Sequence, residues 1–188
     1  MNRLIRWAAV IATAVALTAF GGQAALAASP AGTPAEAISA VVPAADPVTL
    51  HSHGWKSGPA GAHSFEVAGS SQVSTSCGII TCTALYKNSH SDTYWWGANP
   101  VNAKQINASL KWWITGVNIN FSLPPGAGFS RVTGGVLWKP GAVSNTWHVH
   151  LSYSSGVGIK ATVIFSVFYS DQADILLGSS WYHVQGNS

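Results

Sequence analysis

The chain has 188 residues, of which only 8% are charged, and its formal net charge is +3 at pH 7. Its nine lysines and arginines are scattered, whereas a nucleic-acid-binding surface needs clustered basic residues that neutralise several phosphates. The composition therefore argues against nucleic acid as a partner. About a quarter of the residues of a typical soluble protein are charged, so solubility here depends on Ser, Thr, Asn and Gly.

Residues 1–27 have the features of a secretory signal peptide. Basic residues precede an apolar run over residues 7–20, and small residues that suit a signal peptidase end at Ala27. The apolar run is shorter than the ~20 residues that a transmembrane helix requires. We therefore predict cleavage after Ala27 and release of a secreted, extracellular protein.

The next segment, residues 28–59, is rich in Ala and Pro and has few aromatic residues. Such a composition buries too little apolar surface to offset the conformational entropy that folding removes. We predict a flexible linker or pro-segment here. A single domain is predicted over residues 60–188, where β-branched and aromatic residues recur in short runs.

Alternation with a period of two indicates β-strands throughout this domain. Residues 146–153 are apolar on one face, residues 161–169 are apolar on both, and Gly156 and Gly158 between them predict a β-hairpin. Turn residues and the absence of a helical period predict an all-β, antiparallel β-sandwich or small barrel. The other predicted strands are 64–67, 72–76, 81–87, 93–96, 106–115, 117–123, 132–138 and 181–185.

Two cysteines, Cys77 and Cys82, lie five positions apart. In an oxidising compartment they predict one local disulfide that closes a small loop. In the chain-entropy model a loop of this size adds only ~2 kcal/mol of stability. The bridge is therefore expected to fix a turn and not to hold the fold together.

Tryptophan is the most informative residue type, because eight of the nine follow the predicted cleavage site and four form two adjacent pairs. Neighbouring residues of a strand point to opposite faces, so one ring of each pair can enter the core while the other faces outwards. In the second pair, the apolar face that contains Trp112 leaves Trp113 outside. The predicted ligand-binding residues are Tyr94, Trp95, Trp96, Asn99, Lys111 and Trp113.

His148 and His150 project from the same face of their predicted strand, about 7 Å apart, and are candidate ligands for zinc or copper. The pattern lacks Cys or carboxylate partners at a fixed spacing, and the sequence otherwise predicts no cofactor. The histidines available to complete such a site are His51, His53, His90 and His183.

No catalytic arrangement emerges from the sequence, which has no Gly-x-Ser-x-Gly nucleophile elbow and only six acidic residues for paired-carboxylate chemistry. A charge-poor, Trp-rich domain favours a secreted, non-catalytic binding protein whose exposed rings stack on a glycan or another cell-envelope polymer. Two alternatives remain. One is a membrane-active protein whose rings enter the lipid interface, and the other is a metal-binding protein or metalloenzyme that uses His148 and His150.

Overall fold

Twelve β-strands account for the regular structure of the described residues. The computed structural model describes residues 46–97 and 102–188, which belong to one compact unit, Ala40–Ser188. The predicted signal peptide and residues 28–45 of the predicted linker lie outside this description, and no helix within it is suited to crossing a membrane. The strands are β1 (Val48–Gly58), β2 (Gly61–Cys77), β3 (Cys82–Trp95), β4 (Ala103–Val117), β5 (Asn120–Phe121), β6 (Phe129–Val132), β7 (Gly135–Trp138), β8 (Val143–Thr146), β9 (His148–Tyr153), β10 (Val157–Ala161), β11 (Val163–Leu177) and β12 (Ser180–Asn187).

All twelve strands join one antiparallel sheet, which confirms the predicted all-β, antiparallel class. The strand order is β5-β10-β3-β2-β1-β12-β11-β4-β7-β6, while β8 pairs with β4 and β9 pairs with β3. Strands β5 and β6 stand at the two ends of this path and do not pair with each other. Within the described ranges the sheet is therefore open, and the small-barrel alternative is not formed.

The two halves of the sheet face each other, which gives a sandwich-like arrangement. One half consists of β5, β10, β3, β2, β1 and β9, and the other of β12, β11, β4, β7, β6 and β8. At the junction of the halves β1 and β12 share a single residue pair in register, His53 with Asn187. Strand β3 of one half contacts β4 and β11 of the other. Across this interface the Tyr86 hydroxyl donates to the carbonyl of Trp113 at 2.8 Å and accepts from the amide of Phe168 at 3.3 Å.

The apolar core fills the space between the halves. Along β4, Ala108, Leu110, Trp112 and Ile114 alternate and are buried, as their spacing in the sequence predicts. Removing such surface from water stabilises the fold by about 25 cal/mol for each Å². Other large, fully buried side chains are Phe65, Tyr86, Ile106, Ile159, Tyr169 and Ile175.

One layer of the interior is polar. The hydroxyl oxygens of Ser71 and Ser89 lie 2.7 Å apart, and Trp112 Nε1 donates to Ser89 Oγ at 2.9 Å. Asp171 is completely buried, and its Oδ2 accepts a 2.8 Å hydrogen bond from Ser91. Burial raises the pKa of Asp171, against the lowering effect of that hydrogen bond.

Strand β1 corrects the predicted domain boundary. Its eleven residues, Val48–Gly58, fall within the range 28–59 that was assigned to a linker, and they pair with β2. Of the three inward residues, Leu50 packs against the core, whereas Ser52 and Gly54 are small and not strongly apolar. Composition alone therefore gave no sign that one side of this segment faces a core.

The predicted hairpin over residues 146–169 is wrong. Strands β9 and β10 do not pair with each other, because each pairs with a different half of β3. The apolar run that was predicted as one strand is interrupted at Thr162, and β11 has a register shift between Ile164 and Ser166. The side chain at this shift, Phe165, is 60% exposed.

The predicted disulfide between Cys77 and Cys82 is present. It closes the turn that joins β2 to β3, and Ile79 and Ile80 occupy the tip of this turn. Both isoleucines are strongly exposed, at 79% and 77%. The bridge thus holds two apolar side chains in solvent at one end of the sheet.

Candidate ligand-binding surface

Five of the seven histidines lie on one outer surface of the sheet, which we call the histidine face. Strands β1, β2, β3 and β9 are neighbours, and alternate residues of each strand point to the same side. Their register therefore arranges twelve outward side chains in three rows. The first row is Trp55, Glu66, Tyr94 and His148, the second is His53, Ala68, Asp92 and His150, and the third is His51, Ser70, His90 and Ser152.

Four rings form an aromatic cluster at one end of this face: Tyr94, Trp96, Trp147 and His148. Tyr94 stacks on Trp96 at 4.9 Å between ring centroids and on His148 at 4.5 Å. Trp147 lies 6.0 Å from Trp96 at an interplanar angle of 49°. Although the rings cover one another in part, Trp96 remains 47% exposed and Trp147 40% exposed.

Glu66 of β2 fixes the position of the cluster relative to β1. Trp96 Nε1 donates to Glu66 Oε2 at 3.0 Å, and His53 Nε2 donates to Glu66 Oε1 at 3.0 Å. The hydrogen bond from His53, aided by the one from Trp96, holds the pKa of Glu66 below its ordinary value despite partial burial. Glu66 therefore stays ionised and keeps both of its oxygens as acceptors.

A further exposed indole lies beside Glu66 on β1. Trp55 is the cross-strand partner of Glu66, is 51% exposed, and packs on the ring of His63 with 4.0 Å between centroids. His63 belongs to the start of β2 and has a positive φ of 58°. Exposed rings thus lie on both sides of Glu66.

Asp92 connects β3 to the two histidines of β9. His148 Nε2 and His150 Nδ1 both donate to Asp92 Oδ1, at 2.8 Å and 2.9 Å. Burial acts to raise the pKa of Asp92, but the hydrogen bonds and the charges of these two histidines outweigh it and lower the pKa. The carboxylate therefore organises this side of the histidine face.

A shallow groove of about 580 Å³ runs along β2 beside these groups. Its floor is low because β2 contributes only Ala68, Gly69 and Ser70, whereas longer side chains rise from β1 and β3. Ser70 Oγ lies 3.4 Å from His90 Nε2. The walls of this β2 groove are His51, His53, His90 and Asp92.

The two predicted metal ligands, His148 and His150, lie next to each other on β9 and share the same oxygen of Asp92. Nevertheless, no group of three or more His, Cys, Asp or Glu side chains within residues 46–97 and 102–188 has an arrangement suited to a metal ion. A metal site at these histidines stays a prediction without geometric support.

The predicted ligand-binding residues do not form one surface. Trp95 is only 7% exposed and stacks on Phe65 in the core, at 4.9 Å between centroids, so its predicted exposure is wrong. Trp95 and Trp96 point to opposite sides of β3, as neighbours on a strand must. Asn99 lies outside the described residues.

Trp113 and Lys111 lie on the outer side of β4, in the other half of the sheet from Tyr94 and Trp96. Trp113 is partly buried because it stacks on Phe168 at 5.1 Å between centroids. The ammonium nitrogen of Lys111 lies 4.6 Å from the centre of the Trp113 ring, within the range of a cation–π contact. This pair is therefore separate from the aromatic cluster.

Comparison with known proteins gives no match to a family model, a curated protein or a solved structure. Inferences about function therefore depend on the chemistry of the histidine face itself.

Several residues of this face were not predicted as ligand-binding residues. Trp55 was assigned to the linker, and Trp147 was assigned to the apolar side of a hairpin strand. Glu66 carried no recognisable motif. The available pattern was the alternation of His51, His53 and Trp55, which is typical of a strand with one polar or aromatic outer face.

Proposed function

We propose that this protein is a secreted binding domain that holds a glycan or another cell-envelope polymer against the aromatic cluster. The observation that carries the proposal is the pair of exposed indoles, Trp96 and Trp147, positioned 6.0 Å apart beside the ionised Glu66. Flat rings offer apolar area to the C–H faces of sugars, while nearby carboxylate and imidazole groups bond to hydroxyls.

Binding fits this surface better than catalysis. Both oxygens of Glu66 are engaged by ring N–H groups, and Asp92 Oδ1 accepts from two histidines. Acid–base or nucleophilic roles need a carboxylate that can reach a substrate proton or carbon. Here the carboxylates position rings instead.

An extracellular location is supported by two features of the chain. The predicted signal peptide directs export. The disulfide between Cys77 and Cys82 is of the kind that forms and persists in oxidising compartments. A secreted, ring-bearing surface would meet envelope or plant polymers directly.

The test is binding of the purified, exported protein to a panel of soluble and insoluble cell-wall and plant polysaccharides. We expect Trp96→Ala to weaken binding about tenfold or more, because a loss of roughly 1.5 kcal/mol of ring contact corresponds to a factor of ten. Trp181→Ala is the matched control, since Trp181 is 52% exposed but lies on β12. Failure of the wild type to bind any polymer, or equal losses in both variants, would contradict the proposal.

A membrane-active role is the second candidate, and a different observation favours it. Ile79 and Ile80 project from the disulfide-closed turn at the end of the sheet opposite the aromatic cluster. Val117 and Val163 pair with each other near that end and are 42% and 44% exposed. Exposed aliphatic groups at one tip are suited to insertion into the lipid interface.

A further inference from the structure

The β2 groove differs from the aromatic cluster in its chemistry. No ring of the cluster contributes to its walls, which consist of imidazoles and one carboxylate. Ala68 and Ser70 leave room above β2 for a ligand, and Glu66 on the same strand joins the groove to the cluster. A chain-like ligand that lies on the cluster can therefore continue along β2.

The groups that titrate around the groove come from four strands and the layer beneath. The ionised carboxylates of Glu66 and Asp92 lie on the histidine face, while Asp171 of β11 is buried below Gly69. Lys87 is exposed on the outer side of β3, one row beyond His90. The histidines on this face are His51, His53, His90, His148 and His150. His63, at the start of β2, packs on Trp55 beside this face and helps to lower the pKa of Glu66.

The formal charge of this surface depends on whether its histidines carry a proton. With neutral imidazoles, two carboxylates and Lys87 give a formal charge of −1, and protonation of His51 and His90 on the walls of the groove would raise it to +1. Imidazole is the side chain whose unperturbed pKa, about 6.5, lies between pH 5 and pH 8. Adjacent strands are about 4.8 Å apart, within the screening length of about 8 Å at physiological salt, so these charges act together.

Two of these histidines are available to a ligand. Among the described residues, His53 is paired with Glu66, and His148 and His150 are paired with Asp92. Within residues 46–97 and 102–188, no carboxylate lies within 4 Å of His51 or His90, which stand on opposite walls of the groove, and His90 Nε2 is 3.4 Å from Ser70 Oγ. Their imidazolium N–H groups would donate charge-assisted hydrogen bonds to an acidic ligand.

We propose that the β2 groove is a second subsite, which binds the acidic units of a polymeric glycan when its histidines are protonated. The ligand class is a polymer that bears carboxylate, sulfate or phosphate groups along its chain. This inference rests on the proposed function, because the aromatic cluster holds the polymer. The groove then adds a preference for polymers with acidic units at low pH.

The test measures binding of the full exported chain to polygalacturonate and dextran sulfate at pH 5.0 and pH 7.5. Methyl-esterified polygalacturonate and unmodified dextran are the uncharged counterparts. We expect affinity for the two polyanions to rise about tenfold or more at pH 5.0, and the gain to shrink in high salt because it is electrostatic. Affinity for the uncharged polymers should not change with pH.

The double variant His51→Gln/His90→Gln should remove most of the pH-dependent gain. His183→Gln is the control for loss of an exposed imidazole outside the groove, because His183 lies on β12 and, unlike His51 and His90, is paired with a carboxylate, Asp174. The inference is overturned if polyanion affinity is equal at both pH values, if the double variant keeps the gain, or if the control loses as much. Binding of phosphatidylglycerol vesicles at pH 5.0, but of neither polyanion, would also overturn it in favour of a lipid surface.

Failure of this inference is distinguishable from failure of the proposed function. If Trp96→Ala weakens binding of uncharged polymers while no pH-dependent gain exists, only the inference is overturned. If Trp96→Ala changes the binding of no polymer, the proposed function is overturned, whatever the pH dependence.

Discussion

Trp96 Nε1 donates a 3.0 Å hydrogen bond to Oε2 of Glu66, so the position of an exposed ring at the end of β3 is fixed from the neighbouring strand. Glu66→Ala removes this acceptor and leaves the indole free to rotate. We expect polymer affinity to fall about fivefold, equivalent to the roughly 1 kcal/mol of a typical hydrogen bond. Glu66→Gln keeps an acceptor oxygen and should bind nearly as well as the wild type. Equal affinity for the alanine variant and the wild type in a titration would contradict this role.

Strand periodicity was sufficient to predict much of the fold and part of the surface. The alternation along β4 correctly placed Trp112 inside and Trp113 outside, because the uninterrupted apolar series Ala108, Leu110, Trp112 and Ile114 indicates which face of this strand is buried. The same argument assigned one ring of the pair Trp95 and Trp96 to the core. It did not say which one, since the strand partner that covers Trp95, Phe65, is 30 positions away.

The rest of the surface depends on pairings between distant segments. The histidine face exists only because β1 pairs with β2 and β9 pairs with β3. Asp92 and His148 are 56 positions apart, and nothing in either local sequence indicates their contact. Similarly, the carboxylate of Asp171 is buried and accepts a hydrogen bond from Ser91 of β3, 80 positions earlier, and no local pattern around Asp171 indicates this contact.

Tyr86 offers a test of the contact between the two halves of the sheet. Its hydroxyl satisfies both the carbonyl of Trp113 and the amide of Phe168. Tyr86→Phe leaves these two groups without their partner, and an unsatisfied buried polar group costs about 1–3 kcal/mol. We expect a loss of that size in the free energy of unfolding measured with urea. The variant should still bind polymers, because Tyr86 lies in the core; a stability equal to that of the wild type would show that the bridge is unimportant.

The lowered pKa of Asp92 predicts that the folded protein loses stability in acid. Its pKa is lowered in the folded protein, so the unfolded carboxyl takes up a proton near pH 4 while the folded one does so only at lower pH. The stabilisation is therefore present above pH 4 and is lost as the pH falls through the folded pKa. We expect Asp92→Asn to be less stable than the wild type by at most about 1 kcal/mol at pH 6. Urea unfolding should show this difference narrowing by pH 2.5, and a constant difference would contradict the assignment.

The raised pKa of Asp171 predicts the opposite dependence of stability on pH. Burial raises its pKa, so the folded protein holds this proton at pH values where the unfolded chain has released it. Its contribution to stability is therefore greatest below about pH 4, the ordinary range for Asp, and falls as the pH rises through the folded pKa. Asp171→Asn removes the ionisation with little change in size. We expect the stability of this variant relative to the wild type to increase from pH 4 to pH 8, and parallel stability curves would argue against a buried, titrating carboxyl.

Substitutions at Ile79 and Ile80 distinguish the two candidate functions, because these residues lie at the opposite end of the sheet from the aromatic cluster. If the protein acts on membranes, Ile79→Ser/Ile80→Ser should abolish co-sedimentation with lipid vesicles and leakage of a trapped dye. Each isoleucine would contribute up to about 2 kcal/mol by entering the interface. The same variant should bind polysaccharides as the wild type does, while Trp96→Ala should show the converse pattern. If the wild-type protein binds vesicles of no composition, the membrane role is contradicted. Polymer binding is then decided by its own test.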